Sequence, residues 1–175
     1  MEPEHETAYA DYVEQSWPSL VRAAVFLGAR PDEAEDLAQT TLVRCYTAWE
    51  RVSAVDNRDA YVYRMLLNCL RDTRRTRWWK DRQYDAPDAV ERPTTERGGD
   101  AAERVAVADA VHRALGTLTK PNRDVVVLRY FVQLSEKQTA EALGVPAGTV
   151  KSRLSRALAH LAANDHLLDL SGGTK

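Results

Sequence analysis

The chain has 175 residues, room for one ordinary domain or two small ones, and its 44% apolar content is normal for a globular protein. Charged residues make up 29% of it and the mean hydropathy is −0.47, which implies much exposed surface. No apolar run approaches a bilayer span and no signal-type segment opens the chain, so no membrane insertion and a cytoplasmic protein are expected. Only 8 glycines occur and alternating β-branched runs are scarce, which favours an all-α fold. The net charge of −2 conceals blocks: −7 over residues 1–63, +5 over 64–82, −4 over 83–103 and +4 over 104–175. Two basic blocks around an acidic one suggest two separate contacts on one polyanion.

In chain order, residues 1–7 read as a frayed end. A first helix is predicted from Tyr9 to Leu27, with Pro18 inside it and Tyr12, Leu20, Ala24 and Leu27 facing inward. Pro31 and Asp32 open a second helix, whose early acids Asp32, Glu33, Glu35 and Asp36 suit the positive end of the helix dipole. Its apolar stripe, Ala34, Ala38, Thr41, Cys45, Ala48 and Val52, predicts one continuous helix through Val52. A third helix is predicted from Asp59 to Arg82, with Val62, Leu66, Leu70 and Thr73 inward. Cys45 and Cys69 lie among apolar neighbours and read as buried, reduced thiols. The four histidines have no metal-ligand spacing, so neither metal nor cofactor is expected.

The outer face of the third helix carries Arg64, Asn68, Arg71, Arg75, Trp78 or Trp79, and Arg82. Cations interleaved with aromatics and an amide suit single-stranded nucleic acid: charges hold the backbone, rings stack on unpaired bases, and an amide bonds a base edge. The plainer reading is a solvated face with tryptophans sealing the domain base. Adjacent tryptophans cannot both point into one core from a helix, so at least one has a surface role.

From Asp85 to Asp100 periodicity vanishes into a Pro- and Gly-containing acidic stretch, which reads as a flexible linker. Helices resume over Ala101–Leu115 and Pro121–Val132. Ser135 to Leu161 then reads as a helix-turn-helix. Ser135 and Gln138 fit a capping box, Gly144 the left-handed helix end, and Pro146 the first turn of the next helix. Val150, Leu154, Leu158 and Leu161 form the predicted inner stripe of that helix. Thr149, Lys151, Ser152, Arg153, Ser155 and Arg156 lie off it, where a recognition helix carries groups for phosphates and bases. An amphipathic hairpin with a basic outer face would look the same without binding DNA. The expected domains are residues 1–82 and 104–165, joined by a linker over 83–103 and followed by a tail over 166–175.

These segments together resemble the extracytoplasmic-function group of bacterial RNA polymerase sigma factors, within the sigma-70 family, and its actinobacterial sigma-E-like branch. The motifs are ARPDEAEDLAQTTLVRCYTAWERV (29–52), DAYVYRMLLNCLRDTRRTRWW (59–79) and LTKPNRDVVVLRYFVQLSEKQTAEALGVPAGTVKSRLSRAL (118–158). They resemble regions 2.2 to 2.3, 2.3 to 2.4, and 4, in the family's order. The resemblance implies a dissociable, non-catalytic initiation factor. Asp36, Gln39, Thr40, Val43 and Arg44 would dock on the clamp helices of the core polymerase's largest subunit, and region 4 on its flap. Ala48, Val52, Met65 and Asn68 would line a pocket for a base extruded from the −10 element, at a flipping cost of a few kcal/mol. Arg71, Arg74, Arg75 and Lys80 would hold phosphates there, beside Trp78 and Trp79. Lys151, Ser152 and Arg156, flanked by Thr149, Arg153 and Ser155, would read the −35 element as duplex. An anti-sigma factor is a further partner that the group often has. The acidic linker is open to two readings, a nucleic-acid mimic or a solvated spacer.

Two other classes compete. A stand-alone helix-turn-helix regulator would bind duplex without polymerase, usually as a dimer; this sequence has no obvious dimer stripe but does have the melting-type helix. A recombinase or nuclease would need a positioned nucleophile or a carboxylate cluster. Glu35 and Asp36 are better explained by the helix dipole.

Overall fold

A computed structural model describes residues 3–81 and 100–163, with side chains over 5–76 and 106–163. Among the described residues every regular element is helical: α1 (Pro3–Phe26), α2 (Pro31–Thr47), α3 (Trp49–Ala54), α4 (Arg58–Asp81), α5 (Asp100–Gly116), α6 (Lys120–Val126), α7 (Glu136–Leu143) and α8 (Ala147–Ala162). A π-helical turn, Val127–Phe131, continues α6. Helices α1 to α4 form one unit and α5 to α8 a second.

The first helix starts well before the expected Tyr9. Within it, the Tyr9 hydroxyl donates to the Leu42 carbonyl at 2.8 Å and its ring meets Tyr46 and Trp49 edge-on at 5.0 and 5.1 Å. Burial pushes the Tyr9 phenol up to about 12. Leu20, Ala24 and Leu27 are fully buried as expected, while Tyr12 is half-buried. Gly28 ends the helix at φ +94°, a conformation that favours glycine.

The predicted single helix through Val52 is two helices. Ala48, at φ −114° and ψ 14°, breaks it after Thr47. The break delivers Trp49 to the core at 2% exposure and Val52 at 0%. Trp49 lies against Tyr9 and Tyr12, with the Arg58 guanidinium over its ring at 5.2 Å. From α4, Val62, Leu66 and Leu70 complete the core, and Thr73 is half-buried.

Cys45 and Cys69 are free and buried. Burial raises the Cys45 thiol from 9.0 to about 11, so its neutral form is favoured by folding. Its contribution to stability is therefore complete below pH 9 and is lost as pH rises through about 11. Urea melts across that window should show a fall in stability that is smaller in Cys45→Ala than in the parent.

In the second unit, the expected helix over Pro121–Val132 ends by widening. The Val132 amide donates five residues back to Val127 and the Leu134 amide to Leu128, with Gln133 at φ +64° between them. The Arg129 guanidinium donates to the Leu134 carbonyl and closes the turn. The helix-turn-helix forms as predicted. Ser135 Oγ accepts from the Gln138 amide at 3.1 Å, and Gln138 Oε1 accepts from the Ser135 amide at 2.7 Å. Gly144 adopts the left-handed conformation at φ +67°. Pro146 is the residue just before α8 rather than in its first turn. The inner face of α8 runs through Val150, Leu154, Ala157 and Leu161; Leu158, expected inward, is 40% exposed because Ala157 takes its place.

The two units also touch directly, which a tethered pair did not lead one to expect. Helix α7 packs along α4, and Phe26 meets Phe131 with ring centroids 4.5 Å apart. Leu115, Leu118, Val127, Leu134 and Ala157 belong to the same apolar cluster as Leu20 and Leu66. Because α5 begins at Asp100, residues 100–103 are helix rather than linker. The rest of the 83–103 linker and the 166–175 tail lie outside the described residues.

Candidate nucleic-acid interface

Helix α8 turns Val150 and Ala157 inward and so presents its opposite side to solvent. Lys151, Ser152, Ser155 and Arg156 are exposed there, and Thr149 and Arg153 are half-buried. The helix carries no acidic residue, so nothing on it neutralises these cations. Arg156 is held in place on the surface: its Nε donates to the Ser152 carbonyl at 3.2 Å and its guanidinium to Ser152 Oγ at 3.3 Å. An ordered guanidinium beside a hydroxyl on a protruding helix suits the base edges and phosphates of a major groove.

Arg64, Asn68, Arg71 and Arg75 are exposed on α4, as the helical spacing predicts. Arg71 Nη1 donates to Asn68 Oδ1 at 3.2 Å, which leaves the Asn68 amide nitrogen to face outward as a donor. Arg75 and Arg44 both approach Asp72, at 3.7 and 3.6 Å. Arg74 departs from its expected role. Its guanidinium donates to the Leu27 and Gly28 carbonyls at 2.9 and 3.0 Å and so caps α1. Burial, and then the neighbouring Arg123 cation, lower its pKa. The side chains of Trp78, Trp79 and Lys80 lie outside those described.

The four residues expected to line a base pocket do not share one opening. Val52 is fully buried and cannot touch a ligand, whereas Ala48 and Met65 are half-buried and Asn68 is exposed. A cavity lies at the α3–α4 turn. It measures about 490 Å³ and is lined by Ala54, Val55, Asp56, Asn57, Tyr61 and Arg64, with Glu141 reaching in from α7. Sequence reading missed this turn, although the Asp56-Asn57 pair is a turn signal standing just before a basic helix. Arg58 anchors the turn by stacking over both Tyr12 and Trp49.

On α2, Asp36, Gln39, Thr40, Val43 and Arg44 are all exposed along one face, with Val43 at 56%. Tyr46, also exposed, extends that face by one turn. Among the described residues no helix is long and apolar enough to cross a membrane, and no cluster of acids, histidines and cysteines is placed to hold a metal ion.

Two family models match the chain: Sigma-70 region 2 over residues 12–80, and Sigma-70, region 4 over residues 108–161. Together with the two helical units, they define a sigma-70 factor, a non-enzymatic protein that directs RNA polymerase to promoters. Within that family the chain belongs to the extracytoplasmic-function group. It is 39% identical over 153 residues to the RNA polymerase sigma-E factor of Streptomyces coelicolor, covering 87% of this chain and 83% of that protein. Among solved structures it superposes on the sigma factor RpoE of Bartonella quintana, crystallised with the anti-sigma factor NepR. The TM-score is 0.73 at 25% identity, over 93% of this chain and 97% of that one. CnrH, in complex with the cytosolic domain of CnrY, matches with a TM-score of 0.66 at 27% identity, over 94% and 90% of the two chains.

Proposed function

We propose that the chain binds core RNA polymerase in the cytoplasm through the α2 face and reads promoters at two points. Lys151, Ser152 and Arg156 on α8 read the −35 element as duplex, with Thr149, Arg153 and Ser155 flanking. Asn68, Arg71 and Arg64 on α4 follow the −10 element once its strands separate, and the cavity at the α3–α4 turn receives an extruded base. Asn57 supplies the amide and Tyr61 the ring in that cavity, the two functions an unpaired base requires. Arg74 serves the fold, and Arg71 and Arg75 remain the exposed phosphate contacts.

One observation carries this reading: an exposed, acid-free recognition helix on one unit and an exposed Arg–Asn–Arg face beside a cavity on the other. A duplex-only regulator has use for the first alone. Because the Bartonella quintana RpoE was crystallised with the anti-sigma factor NepR, a protein of that kind is also proposed as a partner here. Reconstituted transcription tests the function directly. Purified chain plus core polymerase should initiate at specific sites in a genomic promoter library where core alone does not. Absence of any site-specific transcript would overturn it.

A further inference from the structure

The arginines of α4 differ in what holds them. Arg74 caps α1, and Arg75 approaches Asp72 at 3.7 Å, where Arg44 joins it at 3.6 Å. Arg71 holds an amide instead: its Nη1 donates to Asn68 Oδ1 at 3.2 Å, one helical turn back. Both side chains are exposed, while Cys69 and Leu70 between them are buried and fix the stretch of helix on which they stand. Residues three apart share a face of a helix, so the pair meets solvent as one unit.

The chemistry of the pair fixes which way the Asn68 amide points. A guanidinium has N–H donors and no acceptor, so only the oxygen end of the amide can turn toward it. The nitrogen end then carries its N–H donors to solvent. That excludes the pairing for which asparagine is otherwise suited. A free amide meets adenine bidentately, its oxygen accepting from the exocyclic amine and its nitrogen donating to N7. With the oxygen occupied, Asn68 offers donors alone. Thymine O4 and guanine O6 are carbonyl oxygens and accept from it. Adenine and cytosine carry an amine at the same place, and a donor facing a donor leaves both unsatisfied.

We propose that Arg71 is a positioning residue for the −10 strand: by holding Asn68 Oδ1 it makes Asn68 a donor that selects a base with a carbonyl, thymine or guanine, over adenine and cytosine. The remaining guanidinium donors stay available to a phosphate of the same strand. One side chain then sets both the register of the backbone and the identity of a base. This inference rests on α4 being the −10 reader, and the test separates the two ideas.

The full-length chain is reconstituted with core polymerase, with core alone as the control. The probes are single-stranded 12-nucleotide DNAs in which each position in turn carries each base, and binding is read by fluorescence anisotropy. Asn68→Ala identifies the position in question, as the one whose base preference it flattens. There the parent should bind thymine or guanine on the order of threefold to tenfold more tightly than adenine or cytosine. Arg71→Ala should bind every probe more weakly and, with Oδ1 released, bring adenine at that position at least level with thymine. Arg71→Lys keeps a donor beside Asn68 and should keep the carbonyl preference. Arg75→Ala removes the cation that Asp72 holds; it should weaken binding evenly and leave the preference intact. The inference is overturned if the parent prefers adenine or cytosine there, if Arg71→Ala keeps the parent's order of bases, or if Arg75→Ala changes that order as much. It also fails if Asn68→Ala flattens no position. In that case weaker binding by Asn68→Ala keeps α4 as the reader, and unchanged binding removes that reading too.

Discussion

Arg156→Ala should weaken binding to a −35 duplex by about 1–3 kcal/mol while leaving the affinity for core polymerase unchanged. The guanidinium stands on the solvent side of α8, ordered by Ser152, and the side chains that fix α8 to its unit, Val150 and Ala157, point the other way. Truncation at 156 therefore removes a surface group and spares the packing. Lys151→Ala should also weaken binding to the −35 duplex and, because it removes a cation, lower the salt slope of binding by about 1. A mobility-shift assay over a salt series and a pull-down on core polymerase measure both effects. Equal loss in the two assays for Arg156→Ala would count against the assignment, because it would mean the whole unit had been damaged.

Trp49→Ala should cost about 3–5 kcal/mol of stability, a large share of the roughly 5–15 kcal/mol that holds a domain together. The side chain is among the largest that are fully enclosed, and three groups use it. Tyr9 and Tyr12 pack their rings on it, and Arg58 stacks its cation over it. Removing it leaves a hole in the core and frees Arg58, which otherwise ties the cavity turn to α1. The variant should unfold at lower urea concentration and lose single-strand binding at concentrations of denaturant where the parent still binds. A loss of under about 1 kcal/mol would show that the core does not depend on Trp49 in this way.

Much of this architecture was legible where the signal is local. Ser135 with Gln138, and Gly144 ahead of Pro146, name the ends of α7 and α8 because caps depend on residues a few positions apart. The outward face of α4 was legible for the same reason, since the helical period places Arg64, Asn68, Arg71 and Arg75 together. The break at Ala48 was not, because the apolar spacing runs through it in phase and only the demand of Trp49 for the core decides it. Nor was the inward turn of Arg74. It sits in a run of arginines, and its acceptors, the Leu27 and Gly28 carbonyls, belong to another helix end. The contact between units is invisible for a related reason: Asn57, Gln138 and Glu141 are residues of the kind that normally face water, and their pairing spans more than eighty positions.

The π-helical turn at Val127–Phe131 has a consequence for how this chain tolerates changes in length. Each residue added to or removed from a helix rotates the remainder of that helix by about 100°. The wide turn absorbs one such step just before Phe131, and it is that step which aims the ring at Phe26. Deleting a single residue there would restore an ordinary helix and swing the ring away, with no substitution in either unit. The join between the halves is thus encoded in the number of residues in that turn as much as in their identity, and an insertion or deletion at this point is a graver lesion than most point changes.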